Sequence, residues 1–351
     1  MKRLLLAAVA WSLALPLAGQ THAPAGAHEW PPLRLRDTGL YDDWDAKTVG
    51  ARKVRFSPQY PLWTDGARKT RWMQLPQGTW IDASNPDVWT FPVGTRFWKE
   101  FAFERRAETR LIELTRDGWK YATYVWNDDE TEAVLAPERG IRRGMVIRGN
   151  VRHAIPSRSD CTSCHEGGPA RILGFSALQL SDDRDPNAPH AEPVPEGGMT
   201  LGALVAHGLV RGLPDRATAP RIAAKTPTER AALGYLYGNC AYCHTSEGAL
   251  ASLKLSFDYP IASIAPEAPA VRTTVEQIST FQPASWHKGE RVCVANPDQS
   301  VLMARIASRN PVLQMPPVGT RIVDDAAVAL IRKWISEDTI APAHTPWEGN
   351  R

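Results

Sequence analysis

The spacing of hydrophobic residues changes twice along this chain. Between residues 56 and 155, apolar side chains alternate with polar ones and aromatic residues are frequent, which is typical of half-buried β-strands. The alternation is clearest over residues 71–75, 79–82, 96–103, 110–115 and 120–126. Turn signals such as Asp117-Gly118 separate these segments. The pattern predicts an N-terminal antiparallel β sandwich or a barrel-like domain.

Towards the C-terminus the apolar spacing becomes helical. Thr226-Pro-Thr-Glu229 has the form of a capping box with proline at the first helical position. The apolar positions that follow recur at i, i+3, i+4 and i+7: Leu233, Leu236, Tyr237 and Cys240. A second helix is predicted from Asp324 or Asp325 because Val328, Ile331, Trp334 and Ile335 share one side.

The first residues have the pattern of a secretory signal peptide. Lys2 and Arg3 precede an apolar run over residues 4–17, and small residues lead to Ala27. We therefore expect residues 1–27 to direct export, and the mature protein to be soluble and periplasmic, because no later run is long enough to span a membrane. The formal net charge of +3 falls to +1 without Lys2 and Arg3, which argues against a nucleic-acid partner.

Four of the five cysteines form two Cys-x-x-Cys-His motifs. The first comprises Cys161, Cys164 and His165, and the second comprises Cys240, Cys243 and His244. This spacing is typical of c-type haem attachment, in which both thiols bond to the porphyrin and the adjacent imidazole binds its iron. A disulfide or half of a zinc site is the alternative, but the trailing histidine and the signal peptide favour two covalently attached haem c groups. We expect Cys293 to be a buried thiol.

Residues 226–340 resemble a class I cytochrome c domain. The features that carry the resemblance are the entering helix, the second motif, the Met315-Pro316 loop and the closing aromatic helix. The resemblance implies an all-α domain over residues 223–345, in which His244 and Met315 are the axial iron ligands. The chain as a whole is similar to periplasmic dihaem c-type cytochromes with a β-rich N-terminal region. Segments 60–65, 91–95 and 124–127 carry that looser likeness.

The expected fold is therefore multidomain α+β, with the β sandwich or barrel-like domain followed by all-α cytochrome c-type haem domains. The expected organisation is a signal peptide over 1–27, an extended lead-in over 28–55, a Trp-rich β domain over 56–155, a first haem-binding region over 156–222 and the cytochrome-like domain over 223–345.

The sixth ligand of the first haem iron stays open at this stage. Met199 is one candidate, the histidines His153, His190 and His207 are others, and an open iron position is the third alternative. The basic stretch from Arg139 to Arg143, with Arg148 and Arg152, is either a solvated hairpin or a partner for haem propionates or an acidic protein. The tryptophans of the β region are expected to fill a core or cover a haem, rather than to form a ligand platform.

These features predict a protein that carries single electrons between redox partners, with no catalytic residue of its own. Two other functions stay open. A dihaem peroxidase or oxidase requires an open iron position at the first haem. A sensor requires the Trp-rich β domain to bind a ligand and report its occupancy to the haems.

Overall fold

The computed structural model describes residues 30–168, 171–262, 267–282 and 289–337, so the predicted signal peptide lies outside the described residues. The described residues form ten strands: β1 Val54–Arg55, β2 Arg68–Gln74, β3 Ile81–Asp82, β4 Arg96–Ala102, β5 Arg106–Thr115, β6 Gly118–Trp126, β7 Ala133–Leu135, β8 Val146–Arg148, β9 Val151–Arg152 and β10 Val210–Arg211. Its α-helices are α1 Arg158–His165, α2 Ala177–Leu180, α3 Leu201–Ala206, α4 Pro227–Cys240, α5 Pro269–Thr274, α6 Val301–Ile306 and α7 Asp325–Ser336. Within these ranges, no helix combines the length and the apolar character needed to cross a membrane.

A six-stranded antiparallel sheet in the order β1-β2-β4-β5-β6-β7 is the centre of the N-terminal half. Successive side chains of a strand point to opposite faces of the sheet, and both faces of this sheet are buried. One face packs against the lead-in through Leu35, Leu40, Trp72, Trp98 and Trp126. These three tryptophans therefore fill a core, as the sequence suggested.

The other face of the sheet packs against the segment between the two motifs. Phe97 and Met73 of the sheet contact a cluster that includes Phe175, Leu201 and Leu204. In addition, β10 pairs with β3 in parallel, with Val210 opposite Ile81. Residues 156–222 therefore share a hydrophobic core with the sheet.

A third core joins α4 and α7. Thr226 accepts a hydrogen bond from the Glu229 backbone N–H and begins α4, and Asp324 in the same way accepts one from Ala327 and begins α7. Leu236 and Trp334 are completely buried between the two helices. Both helices begin where the sequence predicted them.

The expected fold class is wrong in two respects. The β half is one open sheet instead of a sandwich or barrel, because the lead-in and the segment carrying α2 and α3 cover its two faces in place of a second sheet. The C-terminal half is not an all-α domain, since the whole fold is mixed and only 23% helical. Between α5 and α6 the described residues form short bridges, Val275 with Val292 and Ile278 with Glu290. The apolar spacing of a helix was present at the two ends of this half. In the polar and proline-rich stretch between them, the described residues form only the two short α-helices α5 and α6.

Candidate cofactor site

Both Cys-x-x-Cys-His motifs line one cavity of about 840 Å³. Its walls come from the sheet on one side and from α4, α7 and the Met315 loop on the other. All four motif cysteines and both motif histidines contribute to its lining, together with Met315. The lining also contains many apolar side chains, as a site for a large, mostly apolar cofactor requires.

The first motif occupies α1. Ser157 and Asp160 form a capping box at the start of this helix. His165 lies in the last turn, where its Nδ1 is 2.7 Å from the Arg171 carbonyl oxygen and its ring is 5.2 Å from that of Tyr121. A bond from Nδ1–H to this carbonyl leaves Nε2 as the atom with a free lone pair. Burial lowers the pKa of His165 to about 4, so the imidazole is neutral.

The second motif begins at the end of α4, as predicted. The His244 backbone N–H donates to the Cys240 carbonyl at 2.9 Å, and the ring of Phe257 lies edge-on to the imidazole at 5.7 Å. Burial, with added repulsion from Arg305 and Arg291, lowers the pKa of His244 to about 4. Its Nδ1 is buried and has no hydrogen-bond partner among the described residues. A neutral imidazole with an unused nitrogen is suited to bind a metal.

The two motifs touch each other. A Cβ atom placed on Gly248 would lie 2.2 Å from the Gly167 carbonyl oxygen, so the two chain segments approach as closely as glycine permits. The Cys164 and Cys243 side chains also meet. The hydrogen bond between these thiols, together with burial, raises the pKa of Cys164 well above its ordinary value. The two motifs therefore lie side by side in the cavity.

Met315 also faces the cavity, held by a 3.0 Å hydrogen bond from its backbone N–H to the Arg305 carbonyl. The other candidate ligands do not line the cavity. Met199 packs under the sheet, where its N–H donates to the Arg55 carbonyl. His153 contacts Glu108 at 2.9 Å, and His190 contacts Asp324 at 2.8 Å.

His207 is exposed at the end of α3 and does not line the cavity. Of the basic stretch, Arg139 and Arg142 contribute to the lining, whereas Arg148 and Arg152 do not. Cys293 is half-buried and also lies outside the lining.

Sequence reasoning missed a basic row on the cavity side of the sheet. Arg71, Lys99 and Arg110 all line the cavity and come from three neighbouring strands. One feature of the sequence could have revealed this row. Lys99 stands between Phe97 and Phe101, which lie on the same face of β4 and are both almost completely buried. A charged residue at such a position has to meet either a counter-charge or a ligand.

The residues present fit covalently attached haem. Two pairs of thiols at the attachment spacing, two neutral imidazoles and a thioether share one cavity with an abundant apolar lining. A structural zinc site needs convergent ligands, and within the described ranges no three His, Cys, Asp or Glu side chains are grouped in a way that could hold a metal ion. Comparison with protein-family models, curated proteins and solved structures finds no match for this chain.

Proposed function

We propose that this chain is an exported dihaem c-type cytochrome that transfers single electrons between redox partners. One observation carries the proposal: both Cys-x-x-Cys-His motifs open onto the same cavity, with their cysteines in contact. The likeness of residues 226–340 to class I cytochrome c domains supports it for the second motif. The signal-peptide pattern of residues 1–27 supports export to the periplasm.

Each part of the site has a distinct role in this proposal. Cys161, Cys164, Cys240 and Cys243 would form the thioether bonds, and His165 and His244 would bind the two irons. Bound haem supplies an iron that accepts and releases one electron. The Arg171 carbonyl fixes the orientation and tautomer of His165, which is the usual task of a group behind a metal-binding imidazole.

Met315 is the proposed sixth ligand of the second iron. Its loop is held at the cavity by the hydrogen bond from the Met315 backbone N–H to the Arg305 carbonyl. A thioether and an imidazole holding the same iron would raise the reduction potential of a c-type haem. Such a centre transfers electrons without binding a substrate.

The direct test is to produce the chain in a bacterium that attaches haem c in its periplasm. We expect a mass increase of two haems, with both remaining bound after denaturation. Replacing Cys161 and Cys164 by alanine removes one haem, and replacing Cys240 and Cys243 removes the other. Replacing Cys293 alone leaves both and is the control. A folded, exported protein without covalent haem contradicts the proposal.

A second candidate function is peroxide reduction at the first haem. The observation that favours it is the absence of Met199, His153, His190 and His207 from the cavity lining, which leaves the first iron without any of its sequence-predicted sixth ligands. Paramagnetic resonance and optical spectra with and without cyanide separate the two functions. Two low-spin irons that ignore cyanide indicate an electron carrier, whereas a high-spin iron that binds cyanide indicates peroxidase or oxidase chemistry.

A further inference from the structure

Three basic residues form a row across the floor of the cavity. In the sheet, Lys99 of β4 lies directly opposite Arg71 of β2 on one side and Arg110 of β5 on the other. All three side chains line the cavity. Like charges placed opposite each other on neighbouring strands are destabilising, so this row requires negative charge nearby.

Among the described residues, Glu108 and Glu192 supply part of that charge. Glu108 binds Arg110 through two hydrogen bonds of 2.5 and 3.2 Å. Glu192 binds Nη1 of Arg71 at 2.9 Å, but Nη2 of the same guanidinium is buried without a hydrogen-bond partner, in a side chain only 3% exposed. Lys99 makes neither a hydrogen bond nor an ion pair with any described residue, and its ammonium lies 5.0 Å from the Phe101 ring centre. Lys69, nearby, donates to the Leu62 carbonyl.

The surroundings of Lys99 reflect this shortage of negative charge. Burial, followed by repulsion from Arg71, Lys69 and Arg110, lowers its pKa well below the ordinary lysine value, and Glu192 only partly opposes the change. An anion bound beside Lys99 would stabilise the charged ammonium and reverse this effect. The buried, unpaired Nη2 of Arg71 would gain an acceptor from the same anion.

We propose that Arg71 and Lys99 bind the propionate carboxylates of the haem attached at Cys161 and Cys164. The inference rests on the proposed function. Haem brings two carboxylates, and the row offers two basic groups with unused donors, so charge and hydrogen bonding are matched. An arginine and a lysine are both suited to carboxylates, the arginine by its planar fork and the lysine as a point charge.

Arg291, Arg305, Arg309 and Arg321 line the cavity from the C-terminal half. Arg139 and Arg142 are the competing partners closest to the first motif in sequence. Both line the cavity, but both are exposed to solvent. An ion pair in water contributes little, whereas the same pair in a buried setting is much less screened. Arg71 and Lys99 therefore hold the carboxylates more firmly and have the larger influence on the iron.

The test compares four variants of the haem-loaded protein: Lys99→Gln, Arg71→Gln, Arg142→Gln and the surface control Lys120→Gln. The count of haems per chain is measured first, so that a failure of the proposed function is recognised before the variants are read. Midpoint potentials and resonance Raman bands of the propionate groups are then recorded. Loss of a positive charge beside the first haem is expected to lower the equilibrium constant for its reduction about tenfold. For a one-electron couple this lowers the midpoint potential by about 59 mV.

We expect this shift in Lys99→Gln and in Arg71→Gln, with changed propionate bands and an unchanged low-spin or high-spin signature. Lys99→Arg keeps the charge, so its midpoint potential is expected to equal that of the parent protein. It is the variant to measure if Lys99→Gln does not accumulate. Two results overturn the proposal. One is a larger effect from Arg142→Gln than from either floor variant. The other is a change of iron coordination in Lys99→Gln, which would make Lys99 an iron ligand instead of a carboxylate partner.

Discussion

Glu108 is the residue on which the inner charge network depends. Its carboxylate is fully buried and meets the Arg110 guanidinium on one side and Nε2 of His153 on the other, at 2.9 Å. His153 was a candidate iron ligand from the sequence, but in the fold its imidazole is used by this carboxylate. Sequence spacing could not reveal the pair because Glu108 and His153 are 45 residues apart in the chain. The network holds Arg110 at the cavity wall.

Replacing Glu108 by glutamine is expected to destabilise the protein by about 1.5–3 kcal/mol, because the half-buried Arg110 loses charge-assisted hydrogen bonds to a fully buried carboxylate. Urea unfolding of the haem-loaded protein measures the change. Asp117→Asn removes an exposed carboxylate from the same sheet and is expected to change stability by less than about 0.5 kcal/mol. Equal midpoints for Glu108→Gln and the parent protein would contradict the assigned role.

The same carboxylate gives a pH prediction. Burial alone would raise the pKa of Glu108, but Arg110 and His153 outweigh burial and lower it to about 2. A carboxyl whose pKa is lower in the folded state stabilises the fold above its unfolded pKa, near 4.3, and loses this contribution as the pH falls towards 2. The stability difference between the parent and Glu108→Gln should therefore shrink between these pH values. A constant difference across that range would exclude the linkage.

At the scale of elements, the contact between segment 60–65 and α4 connects the two halves of the molecule. Tyr60 packs on Gly234, where an added Cβ would lie 2.0 Å from the tyrosine ring. Three residues further on, the Trp63 backbone N–H donates to Asn239 at 2.7 Å, and the Trp63 indole N–H donates to the Ile322 carbonyl at 3.1 Å. This segment thus helps to position the end of α4, from which the second motif continues.

Gly234→Ala is expected to cost about 1–3 kcal/mol because the new methyl group overlaps the Tyr60 ring. In a Tyr60→Ala background the overlap is gone, and the same substitution should be neutral or stabilising by up to about 1 kcal/mol, because alanine favours helix over glycine. Thermal unfolding of the four proteins in this double-mutant cycle gives the coupling between the two positions. If the effects of Gly234→Ala and Tyr60→Ala on the free energy of unfolding are additive, the Tyr60 ring is not the cause of the destabilisation by Gly234→Ala.

The elements differ in how well the sequence predicted them. Alternation located the main strands, since β2, β4, β5 and β6 overlap the predicted segments, and capping residues located the starts of α4 and α7. The predicted strand at 79–82 is instead the short β3, which pairs with β10 outside the main sheet. Its partner comes from a segment more than a hundred residues away, and periodicity carries no information about such pairing.

For the whole molecule, the main result is that two motifs far apart in sequence share one cavity. Motif spacing predicted the six Cys and His side chains, and the methionine-proline loop predicted Met315; all seven line the cavity. Their grouping could not be predicted, because it depends on Gly167 and Gly248 allowing two loops to touch. The sheet's share in the cavity was missed for a different reason: basic residues on a strand usually face solvent, although Lys99 stands between the buried Phe97 and Phe101.

Under the proposed function, the shared cavity predicts that the two haems influence each other. Replacing Cys161 and Cys164 by alanine removes the first haem and places water or collapsed side chains beside the second. The midpoint potential of the remaining haem should shift because a nearby charged group has been removed. We expect the shift to correspond to at least about a threefold change in the equilibrium constant for reduction of that haem. Spectroelectrochemistry of this variant and the parent protein measures the shift, and identical potentials would mean that the two groups are independent.

The contact between Cys164 and Cys243 also constrains how the protein is assembled. Two thiols held side by side in an oxidising compartment are prone to couple with each other, and the coupled form would have lost one attachment atom from each motif. Under the proposed function, cofactor delivery and chain folding are competing processes. The productive order is modification of a still open chain, followed by closure of the sheet and the helices around it.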